Sequence, residues 1–258
     1  MMVLATQAST CTPLHHRQSL FVSIASSEED INQCLTLRHR VFACELGAQL
    51  ESRHAGLDYD YFDAYARHLM VKDTRTGRVI ATSRLLSSKT ARLSGSFYSE
   101  TEFDLHKVLS LNANYLEVGR TCVMESYRNS AALSLLWRGI VRIAVIDDVD
   151  YLIGCVSMPL GPSFTYAHSI MNLLREQYYS CDTLRVYPHY PLPELQAQIM
   201  KDVIMPTLLK GYLRLGAKVC GEACYDKNFN VADVFILLQR ESLEKKFSRH
   251  LSNKVIFK

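Results

Sequence analysis

The chain has 258 residues, 48% of them apolar and 21% charged, with a net charge of +3 at pH 7. That length supports a sizeable core at the upper edge of one domain, and so small a charge argues against a nucleic-acid-binding protein. No apolar run approaches the ~20 residues that span a bilayer, and the N-terminus lacks the charged start and apolar stretch of a secretion signal, so a cytoplasmic location is expected.

Residues 1–18 are polar and turn-rich and read as a frayed tail. Residues 19–258 read as a single domain with a C-terminal extension. Leu20 to Ile24 alternates as a strand. Ser26 to Asp30 then supplies a cap and an acidic first turn for an amphipathic helix reaching about Cys44. His68 to Asp73, a turn at Thr74 to Gly77, and Val79 to Leu86 make an antiparallel hairpin. Leu116 to Met124 as strand, Ala131 to Ile146 as helix and Tyr151 to Ser157 as strand form a βαβ unit, which calls for a parallel or splayed pair. Helices are expected at Ser163 to Tyr179 and Glu194 to Met205, the latter ended by Pro206. Val231 to Leu238 is a late, almost wholly apolar strand, and Glu241 to His250 a charged closing helix. The order predicts an α/β (α+β) fold with a mixed sheet.

The eight cysteines, at 11, 34, 44, 122, 155, 181, 220 and 224, are scattered, and none has the spacing of a zinc site. They read as reduced thiols, with Cys122 and Cys155 as small buried hydrophobes. No metal site is expected.

Two stretches carry chemistry. After the strand ending near Met124, Arg128-Asn129-Ser130 makes a turn in which Ser130 can cap the following helix. The free N–H groups there, together with the helix dipole, suit a phosphate; an ordinary strand-to-helix connection reads the same way. The second is a charged set: Arg38 and Arg40 on a helix, Asp58, Asp60 and Asp63 in LDYDYFD, Arg84 in an apolar strand, and Glu117 and Arg120 in LEVGR. Arg84 is too costly to bury unpaired, so Asp63 or Glu117 is its expected partner. Asp58 and Asp60 suit a solvated turn equally well.

In order along the chain stand Arg-His-Arg-Val-Phe, Glu45-Leu46-Gly47, the aspartates ending in Phe62-Asp63, Arg84-Leu85-Leu86, Phe97 to Asp104, Leu116 to Arg120, Leu136 to Gly139, Tyr151 to Ser157 and Leu209 to Ala217. This set resembles the ornithine Nα-acyltransferase family of bacterial ornithine-lipid synthesis, within the GNAT superfamily, over roughly residues 30 to 240. The part from Arg38 to Arg120 is also similar to acyl-homoserine lactone synthases, and the KGYLRLGA stretch favours the ornithine-lipid branch.

The resemblance implies a mixed, splayed central sheet with helices on both faces. It implies transfer of a (3-hydroxy) fatty acyl group from acyl carrier protein to the α-amine of ornithine, giving a lyso-ornithine lipid. The acyl-phosphopantetheine of the carrier would be the donor, with no permanently bound cofactor, and a lipid product would bring the enzyme to the inner membrane only from the side. Glu117 becomes the first candidate to take the proton of the amine, and Asp63 the second. Arg38, Arg40, Asp58, Asp60, Arg84 and Arg120 become the candidate acceptor site. Cys122, Val123, Arg128, Ser130, Ala131 and Arg138 become the donor site, with backbone N–H groups from Arg120 to Val123 facing the oxyanion. Surface basics such as Arg128, Arg138 and Arg142 suit an acidic carrier. The phosphate turn here lacks the glycines usual in GNAT proteins, which favours a carrier protein over coenzyme A. Acylation of another amino acid such as glycine, synthesis of an acyl-homoserine lactone-type signal, and non-enzymatic sensing of an acyl ligand are the alternatives.

Overall fold

A computed structural model describes residues 20–50, 52, 54–128, 130–195, 198–200 and 202–247. The expected N-terminal tail and the last residues of the expected closing helix lie outside these. β1 (Leu20–Ile24) pairs antiparallel with β2 (Arg67–Asp73), and β2 with β3 (Arg78–Ser87), as the hairpin pattern predicts. Between β1 and β2 lies α1 (Glu28–His39), capped by Ser27, whose side chain accepts from the Asp30 amide. Glu28, Glu29 and Asp30 complement its dipole. The helix then widens to π pitch from Arg40 to Glu45. The sequence predicts one uniform helix here; such widened turns often sit at functional sites.

α2 (Ser88–Ser94), the short β4 (Phe103–Asp104) and α3 (His106–Leu109) lead to β5 (Tyr115–Val123). α4 (Ser130–Ile146) crosses to β6 (Tyr151–Pro159), followed by α5 (Thr165–Gln177) and β7 (Tyr187–Pro188), which pairs with β4. The chain closes with α6 (Thr207–Leu215), β8 (Lys218–Val219), β9 (Cys224–Asp226), β10 (Val231–Gln239) and α7 (Arg240–Phe247). The helix expected at Glu194 to Met205 is not formed in the described part of that stretch. Pro206 instead stands at the N-cap of α6 and starts a helix rather than ending one.

The main sheet has eight strands in the order β1-β2-β3-β5-β6-β10-β8, with β9 also on β10. β5 and β6 are parallel, and only Tyr115 to Glu117 pair with Tyr151 to Ile153. Beyond that the two strands part. Gly154 stands at the parting point, where a Cβ would lie 2.4 Å from the Val118 carbonyl oxygen, so a larger residue would force the strands apart early. β5 also bulges against β3, with the register shift between Thr82 and Arg84 and a positive φ of 48° at Arg120. Bulges of this kind re-aim a side chain, often beside an active site.

Alternation along the strands sorts the core into two faces. Leu69, Val71, Leu116, Val118, Val156 and Ile236 pack against α4 to α7. Met70 and Cys122 lie under α1, while Leu86, Ile153 and Phe235 meet Phe62, Phe97, Phe103 and Val108. Helices therefore cover both faces, as the resemblance implies. By the same alternation Arg84, Glu117 and Asp233 all point to the α1–α3 face. No helix among the described residues is long and apolar enough to cross a membrane.

Candidate active site

Where β5 and β6 separate, a cavity of about 820 Å³ opens. Its β5 wall is Glu117 to Thr121 and its β6 wall Cys155 to Pro159, with Leu160 just beyond the strand. Phe42 of the π-pitched segment and Leu46 at its end close one side, and Leu208 and Tyr212 of α6 another. Past Glu117 the edge of β5 that faces β6 has no ladder partner among the described residues. Its backbone groups therefore face the cavity without competition.

Beneath this wall lies a buried ionic network. Arg38, fully buried, donates from Nε to Asp58 at 2.7 Å and from its two terminal nitrogens to Asp63 at 2.6 and 3.0 Å. Arg84 donates to Asp60 at 2.5 Å and stands 3.4 Å from Asp63. Arg120 reaches Asp60 at 3.2 Å and lies 3.5 Å from Asp58. Its guanidinium also stacks 4.9 Å from the Tyr98 ring and 4.6 Å from that of Phe229. Three arginines thus neutralise three aspartates.

Several expectations change accordingly. Asp58 and Asp60 belong to this network and not to a solvated turn. Arg84 pairs with Asp60 and Asp63 and not with Glu117. Burial pushes the Asp63 carboxyl up, but Arg38 and Arg84 hold it well below the usual range. With its side chain wholly enclosed, it is a structural anchor and not a proton acceptor. The aspartates have no charge left over for an incoming ammonium. Arg40 is not brought to the network: its side chain is 57% exposed and lies 4.0 Å from Glu45.

Glu117 is held differently. Its carboxylate accepts from the amides of Tyr98 (2.9 Å) and Ser99 (2.7 Å) and from the Ser99 hydroxyl (2.6 Å). It is buried and lines the cavity, and burial raises its pKa despite those donors. A raised carboxyl with one unused lone-pair site facing a cavity can accept a proton from a group bound there.

The expected donor residues scatter. Cys122 packs beside Cys34, Leu37, Val41, Met70, Val79 and the α1 face, and burial pushes its thiol up, so it is a core residue away from the cavity. Val123 packs against the α4–α7 core. Arg128 donates to the Val123 carbonyl at 3.1 Å and pairs with Glu45, beside the cavity-lining Leu46. Ser130 is the first residue of α4 and not its cap; the cap position, residue 129, lies outside the described residues. Ala131 is exposed in the first turn of that helix and Arg138 half-buried farther along.

One cluster was missed by sequence reasoning. Glu102, Asp226 and Asp233 line the cavity with carboxylate oxygens all within 4.8 Å of one another. Burial and the Asp233 charge push Glu102 well above the carboxylate range. Burial pushes Asp233 up to about 7, against a 2.7 Å hydrogen bond donated by the Ser157 hydroxyl. The available signal was Asp233 itself, a carboxylate inside the apolar run VADVFILL.

A mixed sheet whose parallel pair splays beside a β-bulge, with a cavity in the gap, defines an acyltransferase of the GNAT class, and residues 37–138 match the acetyltransferase (GNAT) domain model. The chain is 34% identical to an L-ornithine Nα-acyltransferase of Brucella abortus, over 89% of this chain and 87% of that one. It is 30% identical to the L-ornithine Nα-acyltransferase of Agrobacterium fabrum, over 89% and 84% respectively. The chain belongs to the L-ornithine Nα-acyltransferase family. In fold it also resembles the CoA-dependent acyl-homoserine lactone synthase BjaI, solved with SAM and isopentyl-CoA, with a TM-score of 0.55 and 14% identity over 93% of this chain and 92% of that one.

Proposed function

We propose that the protein transfers a (3-hydroxy) fatty acyl group from the phosphopantetheine thioester of acyl carrier protein to the α-amine of ornithine, releasing a lyso-ornithine lipid and the carrier thiol. The observation that carries this reading is the cavity in the β5–β6 splay. It joins an unpaired strand edge, a raised carboxyl and an apolar end in one space. The thioester carbonyl lies along Val118 to Thr121, where free N–H groups stabilise the oxyanion of the tetrahedral intermediate. The acyl chain runs toward Met158, Leu160, Phe164, Leu208 and Tyr212.

An amine attacks only as the free base, and the α-amino reference pKa of ~7.7–8.0 makes its deprotonation a modest task. Glu117 takes that proton, directly or through one water. Glu117 releases that proton to solvent, the C–S bond breaks as the tetrahedral intermediate collapses, and the second proton of the attacking nitrogen leaves with the thiol. Arg84 and Arg120 both line the cavity, and the Arg120 Nε, without a hydrogen-bond partner among the described residues, offers a donor to the acceptor carboxylate. Arg128, exposed beside the mouth, meets the acidic carrier, and the glycine-poor turn before α4 favours the single phosphate of phosphopantetheine. The test incubates purified protein with hydroxyacyl carrier protein and a panel of amines, followed by mass detection. Acyl-ornithine is the expected product; its absence, with another amine acylated, refutes the reading.

A further inference from the structure

Two acidic trios of opposite character stand at the cavity, one beneath its wall and one lining it. Asp58, Asp60 and Asp63 are matched by Arg38, Arg84 and Arg120. Glu102, Asp226 and Asp233 form no ion pair among the described residues. Nearby stand the Tyr98 hydroxyl and the Cys155 thiol, both neutral, and the Arg120 charge acts on Asp233 only from a distance. Three clustered carboxylates without a cation repel one another and lose hydration on burial.

A second, independent observation points to a ligand. Glu102 is only 7% exposed and lines the cavity, yet its Oε2 has no hydrogen-bond partner among the described residues. A buried acceptor without a donor is costly, and one in a cavity wall is open to a donor that enters the cavity. Around it, Asp233 Oδ1 is taken by Ser157, and Asp226 Oδ1 accepts from the amides of Asn228 and Phe229. The second oxygen of each accepts no hydrogen bond among the described residues. One oxygen of each carboxylate converges on the others, and the donors beside them are neutral: the Tyr98 hydroxyl and the Cys155 thiol at Glu102 and the Ser157 hydroxyl on Asp233.

We propose that Glu102, Asp226 and Asp233 bind the side-chain ammonium of a dibasic amino-acid acceptor and thereby set which amine is acylated. An ammonium offers three N–H donors to three convergent oxygens and supplies the missing charge. The acyl-transfer wall is close by: Cys155 donates to the Ser99 hydroxyl at 3.4 Å, and that hydroxyl donates to Glu117. With the side-chain ammonium seated in the trio, the α-amine is left at the splay beside Glu117, and the competing terminal amine is tied down as an ion. This assignment rests on the ornithine reading and deepens it.

The test compares ornithine with norvaline, which has the same backbone but lacks the side-chain amine. Wild type and the Glu102→Gln, Asp226→Asn and Asp233→Asn variants are assayed with the same hydroxyacyl carrier protein. Removing a charged hydrogen-bond partner of a buried ion costs about 2–5 kcal/mol. Wild type should therefore prefer ornithine by roughly 30-fold or more in kcat/KM, and each variant should lose at least tenfold of that preference through ornithine KM. Asp226→Asn, at a half-buried position, serves as the variant least exposed to misfolding. Equal losses for both acceptors would overturn the proposal. So would a requirement for a divalent ion, seen as loss of ornithine activity in EDTA, restoration by magnesium or manganese, and calorimetric binding of that ion that the variants abolish. If wild type acylates neither acceptor but does acylate another amine, the functional reading itself has failed; a wild type active on both without preference fails only the trio.

Discussion

Asp233→Asn should stabilise the protein at high pH and leave it nearly unchanged at low pH. The folded Asp233 carboxyl lies at about 7, against an ordinary value of 3.8. Its folded pKa is raised, so between these values the folded state keeps a proton that the unfolded chain has released. Stability therefore falls as pH rises through this window, and the whole penalty is present above about pH 7. A shift of about three units at ~1.4 kcal/mol each gives about 4 kcal/mol. At pH 4.5 less than one unit of the window has been crossed, and about 1 kcal/mol is at stake. Asparagine keeps an oxygen to accept from Ser157 and turns a donor toward Glu102 and Asp226, so the substitution removes the charge without removing the hydrogen bond. Scanning calorimetry of both proteins at pH 4.5 and 8.5 reads the difference. At ~2–4 °C per kcal/mol for a chain of this size, the variant should melt on the order of 10 °C higher at pH 8.5 and within about 3 °C at pH 4.5. Ornithine should narrow the gap at pH 8.5 by stabilising the wild type. An equal difference at both pH values, or a variant less stable at pH 8.5, would refute the reasoning.

Arg38→Met strips the fully buried guanidinium from Asp58 and Asp63 and should cost about 3–5 kcal/mol, measured as a shift in urea midpoint with little change in slope. Glu117→Gln should lower kcat by roughly 10²–10⁴-fold and flatten the acidic limb of the pH–rate profile; an unchanged profile would place the proton acceptor elsewhere. Gly154→Ala drives a methyl into the Val118 carbonyl and should cost about 1–3 kcal/mol while changing acyl-chain preference, read from competing donors of different length. Arg128→Glu should raise KM for acyl carrier protein several-fold and weaken the salt dependence of that KM, with little effect on melting temperature.

The hairpin, the βαβ unit and the late apolar strand were legible because each is declared by local periodicity, which a single sequence carries in full. The π pitch after His39 and the failure of a helix before Pro206 were not legible. Both are settled by packing, the first against β3 and β5, the second by α6 beginning beyond the proline. Burial of the charged set was partly legible. Arg84 in an apolar strand required a carboxylate, and Asp63 was among those proposed. That Glu117 instead anchors the turn at Tyr98 and Ser99 depends on which faces the bulge at Arg120 brings together, and no spacing rule contains that. Cys122 shows the same limit: the cavity wall ends at Thr121, and the next residue packs into the core under α1.

The acidic trio was the least legible of all, and the reason bears on what it does. Asp226 and Asp233 come from the two strands of the β9–β10 hairpin, but Glu102 comes from the end of a short turn more than 120 residues earlier, and no local pattern joins it to them. A chain gains nothing in stability by converging three such carboxylates on a cavity with no arginine to match them. The same fold shows, a few residues away, how it builds an acidic trio for stability: with Arg38, Arg84 and Arg120 inserted between the aspartates. The unmatched trio departs from that solution inside the cavity itself. The cation that completes it is then best sought among the molecules that enter the cavity, and a dibasic acceptor brings such a charge with it.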